Sequence, residues 1–292
     1  MKTKHWMAFI TLGLIWSSSF LWIKIGVQEI GPVSLVAFRV LFGALTAGAI
    51  ALYLKSEWPT DLKTLTYFAV IGPTSLAIPI FLISWGEQTI DSAVASVLNA
   101  TVPLFTIIIS HFSLHDDKMT PQKVAGLLIG FVGILILFSR DLIGSKHSSL
   151  IGQLAVVLAS LFYAGSAVFT RKVTAHVQGI ARTALPLITA TLFIWAIGPI
   201  TGKPILLPVL PITWIAVFWL GVFGSGFAML MFYYLLHEIG PTRTSLVTYI
   251  FPVGGVMLGV VFLGEELSWQ LIAGTALIVA SLFVVNYRPK RL

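Results

Sequence analysis

Long apolar runs, each about the length of a membrane-crossing helix, alternate with short polar segments along this 292-residue chain. A hydrocarbon core about 30 Å thick needs roughly 20 apolar residues in a helix that rises about 1.5 Å per residue. Runs meeting that requirement fall at 6–25, 33–54, 64–85, 92–113, 121–139, 150–170, 181–201, 212–236, 242–263 and 268–287, ten in all. The polar segments between them, such as Lys55–Lys63, His115–Gln122, Gly144–Ser149 and Gly202–Pro211, are too short to hold an extramembrane domain. The runs are continuous, as in Ile134-Leu-Ile-Leu-Phe138, and lack the alternation of a barrel strand. A helix satisfies its own backbone in hydrocarbon, so the pattern predicts an all-α integral membrane protein with ten transmembrane helices.

Composition strengthens that expectation. The chain is 57% hydrophobic and 10% charged, against about 25% charged residues in soluble domains. Its net charge of +7 is spread thinly, so the basic face that nucleic acid requires is not expected. There is no cysteine, which removes disulfides, thiolate metal sites and cysteine nucleophiles. Lys2 and Lys4 precede the first run as in a signal peptide, but that run is too long and ends in bulky Leu21-Trp-Ile-Lys24. It is therefore expected to remain as a span. With the N-terminus inside, thirteen of the 18 Lys and Arg residues fall on inner segments and four, Lys24, Arg140, Lys146 and Lys203, on outer ones. The asymmetry predicts a multi-pass protein of the cytoplasmic (inner) membrane with both termini cytoplasmic.

Sliding the chain on itself by 147–149 residues reveals a repeat. Gly72 falls on Gly221, Ser96 on Ser245 and Pro103 on Pro252, while Gln122-Lys-Val-Ala-Gly126 falls on Gln270-Leu-Ile-Ala-Gly274. Near the start, Trp16, Ser19 and Lys24 fall on Tyr163, Ser166 and Arg171. Two blocks follow, 1–140 and 149–288. Five spans per block is an odd number, so the second block enters from the opposite side, giving two inverted five-helix repeats. Inverted repeats characteristically enclose a solute site near mid-membrane.

The segments Ile15-Trp-Ser-Ser-Ser-Phe20, Leu98-Asn-Ala-Thr-Val-Pro-Leu-Phe105 and Phe262-Leu-Gly-Glu-Glu266, in that order and spacing, resemble those of the drug/metabolite transporter superfamily, specifically its EamA-type exporters. The resemblance spans nearly the whole chain. It implies export of small metabolites, such as amino acids or related solutes, by alternating access, and no cofactor.

Polar residues inside spans need partners or a water-filled cavity. Span four carries Ser92, Ser96, Asn99 and Pro103 on one helical face, and span nine carries Pro241, Ser245, Thr248 and Pro252 at the same intervals. Each proline frees a carbonyl about one turn earlier, near Asn99 and Thr248. The resulting polar surface suits either a solute cavity or helix–helix contact, worth about 0.6 kcal/mol per hydrogen bond. The sequon Asn99-Ala-Thr101 is expected inside the membrane and hence unused. Trp16 with Ser19, and Tyr163 with Ser166 and Thr170, each share a helix face; Trp85 and Tyr234 add aromatics that suit either the pocket or an interfacial belt.

Charges form a second pattern. Lys24, Arg39 and Glu87 fall toward the outer ends of spans one to three, and Arg171, Arg182 and Glu238 toward the inner ends of spans six to eight. Inverted symmetry suggests one ion-pair latch on each side, with headgroup snorkelling the alternative for Lys24 and Arg171. Arg39 stands out, about two turns into its helix, where an unpaired cation is costly. Gly126-x-x-x-Gly130 and Gly255-x-x-x-Gly259 permit close helix approach. Spans five and ten, almost free of buried polar groups, are expected to brace the bundle or to meet a second copy, leaving monomer and homodimer open.

Competing functions fare less well. An intramembrane enzyme needs a catalytic set at membrane depth, but the six histidines are scattered and the acidic pairs Asp116–Asp117 and Glu265–Glu266 sit in loops. The phosphate-binding Gly-x-x-x-x-Gly-Lys-Ser/Thr loop of a pump is absent. A lipid-handling scaffold stays open. With no acidic residue at mid-membrane, facilitated diffusion or exchange is the expected mode, and a small molecule and the bilayer are the expected partners.

Overall fold

The computed structural model describes residues 3–113, 119–143, 147–174, 177, 179–201, 204–239 and 246–286. Among these residues the chain is helical, without strands. The first element, α1 (Thr3–Tyr53), is two limbs joined at Gly31, whose φ of 71° and ψ of 172° are non-helical. Only glycine adopts that backbone readily, and Pro32, which has no N–H to leave unsatisfied, restarts the helix. The runs expected at 6–25 and 33–54 are these two limbs.

The second rod, Leu62–Gly86, comprises α2 (Leu62–Gly72), a π-helical turn at Pro73–Ala77 and α3 (Ile78–Gly86). Asp61 caps its start by accepting a hydrogen bond from Thr64 N at 2.8 Å. Next come α4 (Ser92–Asn99) and α5 (Val102–Ser113), then α6 (Pro121–Ile143), α7 (His147–Val173) and α8 (Ala181–Ile197). The rod α9 (Pro211–Phe218), π-helical Trp219–Phe227 and α10 (Ala228–Ile239) follows. A 3₁₀ turn, Leu246–Tyr249, leads into α11 (Ile250–Leu263), and α12 (Trp269–Asn286) ends the described chain. Six of these rods are long and apolar enough to cross a membrane, and α8, α11 and α12 are shorter apolar helices.

The irregular turns recur at matching places. At a shift of 149, the π turn at 73–77 maps inside the π turn at 219–227. The break after Asn99 maps beside the 3₁₀ turn at 246–249, three residues before Pro252 as Ala100 precedes Pro103. π-helical turns are rare and concentrate at functional sites, so two at corresponding positions mark a duplicated feature.

Glycines set the joints between the blocks. A Cβ on Gly72 would lie 2.5 Å from Pro186 O, and one on Gly221 would lie 2.9 Å from Arg39 O. Arg39 and Pro186 themselves correspond at a shift of 147. Each block thus inserts its third span against the other block's second. Gly126 and Gly133 likewise seat α6 directly on α12, near Ser281 O and Gly274 O, so this glycine face braces the bundle within the chain. Large apolar side chains including Leu14, Leu45, Leu128, Leu135, Met257 and Phe283 remain exposed, as a lipid-facing surface requires.

Candidate functional site

The first limb of α1, its second limb and the π turn of Trp219–Phe227 meet around Gly224. Trp16 Nε1 donates to Gly224 O at 3.1 Å. Arg39 Nε donates to the Ser225 hydroxyl at 3.2 Å. Trp219 Nε1 donates to Ser18 Oγ at 3.0 Å. A Cβ on Gly224 would sit 3.4 Å from Ser19 Oγ and 3.9 Å from Arg39 Nη2, so both polar groups border the space that this glycine leaves open. Arg39 is 7% exposed and within electrostatic reach of Tyr163 and Glu87. Trp16 packs against Phe232 and Phe251, at centroid distances of 5.6 and 5.9 Å. The structure therefore brings Trp16, Ser19 and Arg39 together around Gly224, with Tyr163 within electrostatic reach of Arg39.

The polar face of span four is used differently. Ser96 is fully buried and donates to Ala93 O at 2.8 Å. A Cβ on Gly255 would collide with its hydroxyl, so Ser96 lies at the contact between α4 and α11. Asn99 Oδ1 is 3.4 Å from the hydroxyl of Ser160, which also reaches Leu98 O at 3.3 Å and Val156 O at 3.1 Å. One hydroxyl proton is shared among those acceptors, tying α4 to α7. Thr248 is half-buried in the 3₁₀ turn, and Ser166 is buried on α7. Ser245, Pro241 and Arg243 lie outside the described residues, as does the side chain of His237. Trp85 and Tyr234 are 40% and 38% exposed and belong to the periphery.

The charged residues form pairings that their order along the chain does not foretell. Lys24 Nζ donates to Glu87 O at 2.6 Å and to Ile90 O at 2.7 Å. It thus caps the end of α3 through backbone carbonyls and makes no hydrogen bond to the Glu87 carboxylate. An ammonium with three donors is well served by the orphan carbonyls of a helix end. Glu87 is fully buried, and its carboxylate oxygens have no hydrogen-bond partner among the described residues. At the other end His5 Nε2 lies 3.0 Å from Glu238 Oε2. Arg182 lies 5.5 Å from the Tyr233 ring centroid, and Arg171 is exposed.

Two residues matter here that sequence reasoning did not single out, and a third, Glu265, it had left in a loop. Ser225 orients Arg39, and Gly224 opens the space beside it. Glu265 accepts hydrogen bonds from Ser92 N at 2.6 Å and Ala93 N at 2.9 Å, capping α4 from the other block. The run Gly221-Val-Phe-Gly-Ser-Gly226 is the signal for the first two, since small residues at such spacing allow backbone to approach a ligand. Glu265 lay within a recognised motif but faces a helix that only the folded chain brings near.

The model of the EamA-like transporter family matches the chain twice, over residues 4–139 and 150–287. Among curated relatives, "Uncharacterized transporter YoaV" of Bacillus subtilis is 26% identical, covering 99% of this chain and 98% of its own length. "Uncharacterized inner membrane transporter YedA" of Escherichia coli is 30% identical, covering 89% of this chain and 83% of its own length. A solved crystal structure superposes with a TM-score of 0.69 at 24% identity, covering 98% of both chains, which establishes the likeness of fold.

Proposed function

Because the chain belongs to the EamA-like transporter family, we propose that it exports small amphipathic metabolites, amino acids or related solutes, across the cytoplasmic membrane by alternating access. It is a multi-pass membrane transporter rather than an enzyme. The observation that carries the finer proposal is the gathering of Trp16, Ser19 and Arg39 around Gly224, at a joint between the two blocks, with Tyr163 within electrostatic reach of Arg39. Polar groups there orient a solute while the aromatic rings pack its apolar part.

In this proposal ten helices form two inverted five-helix repeats, 1–140 and 149–288, and both termini lie in the cytoplasm. Lys24, Arg39 and Glu87 then sit at the outer end, with Arg171, Arg182 and Glu238 at the inner end. These groups exchange partners as the two ends open in turn. Asn99 and Thr248, beside the two helix breaks, line the path, and transport proceeds by facilitated diffusion or exchange.

Counterflow of radiolabelled amino acids into proteoliposomes tests the function directly. Saturable exchange by the intact protein is expected, with Asn99→Ala and Thr248→Ala slowing it while leaving the protein folded. Full activity in both variants removes those residues from the path. Since the chain has no cysteine, single cysteines at Thr3 and His147 report orientation without background. Labelling from opposite sides is expected, and labelling from one side overturns the inverted arrangement.

A further inference from the structure

Arg39 is more than nine-tenths buried in a segment apolar enough to span a membrane, where an uncompensated guanidinium is costly. Its Nε is occupied by the Ser225 hydroxyl. Among the described residues its two Nη atoms have no hydrogen-bond partner. No carboxylate of the described residues lies within ion-pair distance of it, Glu87 being near enough only for a longer-range interaction. Arg39 Nη2 faces the gap beside Gly224, where an added Cβ would lie 3.9 Å from it and 3.4 Å from Ser19 Oγ. The Trp16 ring is fixed close by through its bond to Gly224 O, and Tyr163 is within electrostatic reach of Arg39.

A planar guanidinium with one edge already anchored presents the other to a planar, bidentate acceptor. We propose that Arg39 binds the carboxylate of the transported solute through its Nη atoms, making small carboxylate-bearing metabolites the substrate class. Ser225 holds the guanidinium in position, and Gly224 leaves room for the ligand. The inference rests on the transporter proposal above and narrows it from amphipathic solutes in general to those carrying an acid group.

The test compares L-phenylalanine and L-leucine with their amides and with phenethylamine, by counterflow in proteoliposomes holding the full chain. The intact protein is expected to carry the acids with KM values roughly tenfold or more below those of the amides, from loss of a charge-assisted bond. Arg39→Gln is expected to raise KM for the acids by about tenfold or more and to erase the preference. Arg39→Lys keeps charge without the fork and is expected to fall between. Gly224→Ala, whose methyl has ordinary contact distances, is expected to fold normally and raise KM about threefold, a loss of packing fit. Arg39→Lys and Gly224→Ala keep the test decisive if Arg39→Gln does not reconstitute. Transport of the amides or amine in preference to the acids leaves the protein a transporter and overturns this inference. So does competition by inorganic phosphate stronger than by the carboxylates, or unchanged acid KM in Arg39→Lys and Gly224→Ala. Transport of none of these compounds overturns the inference together with the substrate range proposed above.

Discussion

The rods Leu62–Gly86 and Pro211–Leu235 occupy corresponding places in the two blocks and differ in what they do. Both turn π-helical in the same register, and both press a glycine, Gly72 or Gly221, against a backbone carbonyl of the other block. The first makes its π turn at Pro73 and stabilises it internally, with Thr74 donating to Val70 O and Ser75 to Ile71 O. The second makes it from Gly221-Val-Phe-Gly-Ser-Gly226 and offers Ser225 outward to Arg39. The facing residue in the first case is Pro186, which has no polar side chain; in the second it is Arg39. Duplication thus supplies a matched frame, and a single unmatched residue adds a buried cation at one of its two joints.

Substitutions at the two joints test that contrast. The largest effect is expected from Gly72→Ala and Gly221→Ala, each of which drives a methyl into backbone of the opposing helix. Each should cost about 1–3 kcal/mol through overpacking, read as a lowered melting temperature in detergent. Comparable losses at both sites support one shared frame, whereas indifference at either site denies it. Next in size, Glu265→Ala removes two hydrogen bonds from the start of α4 and should cost about 1 kcal/mol. It should also raise labelling of a cysteine placed at Ser92 by a membrane-impermeant reagent, since the contact joins the blocks at one end. Unaltered labelling would show that this cap is not part of a gate.

A smaller pair separates frame from chemistry. Thr189 donates to Phe68 O at 2.8 Å across the first joint, and Ser225 accepts from Arg39 across the second. Thr189→Ala should lower stability by about 0.6 kcal/mol and leave KM unaltered. Ser225→Ala should raise KM about threefold with little change in stability, because it frees the guanidinium to wander. Reversal of that pattern would place the binding chemistry at the first joint.

The spans and the duplication were legible because hydrocarbon imposes them residue by residue: apolar length is written along the chain, and so are the matching prolines and glycines. The limbs of α1 follow the same logic, with Gly31 and Pro32 marking the turn. The site was legible in part. Trp16, Ser19 and Tyr163 stood out because polar and aromatic groups on one face of a buried helix need a reason to be there, and the fold gathers them near Arg39. Ser96 was equally conspicuous, yet it packs against Gly255, since periodicity reports a shared face and not what that face meets. Lys24 and Glu87 shared an end of the bundle, and the hydrogen bond between them runs to the backbone carbonyl of Glu87 instead of its carboxylate.

By itself the sequence determined that this chain is a helical membrane protein built from two similar blocks, because each span must satisfy its backbone and its lipid contacts locally. It took the folded chain to set Gly72 on Pro186 and Gly221 on Arg39, to cap α4 with Glu265 of the other block, and to join Arg39 to Ser225. Those are contacts between residues more than a hundred positions apart, set by which backbones approach closely enough to touch. No local pattern of hydropathy records that distance.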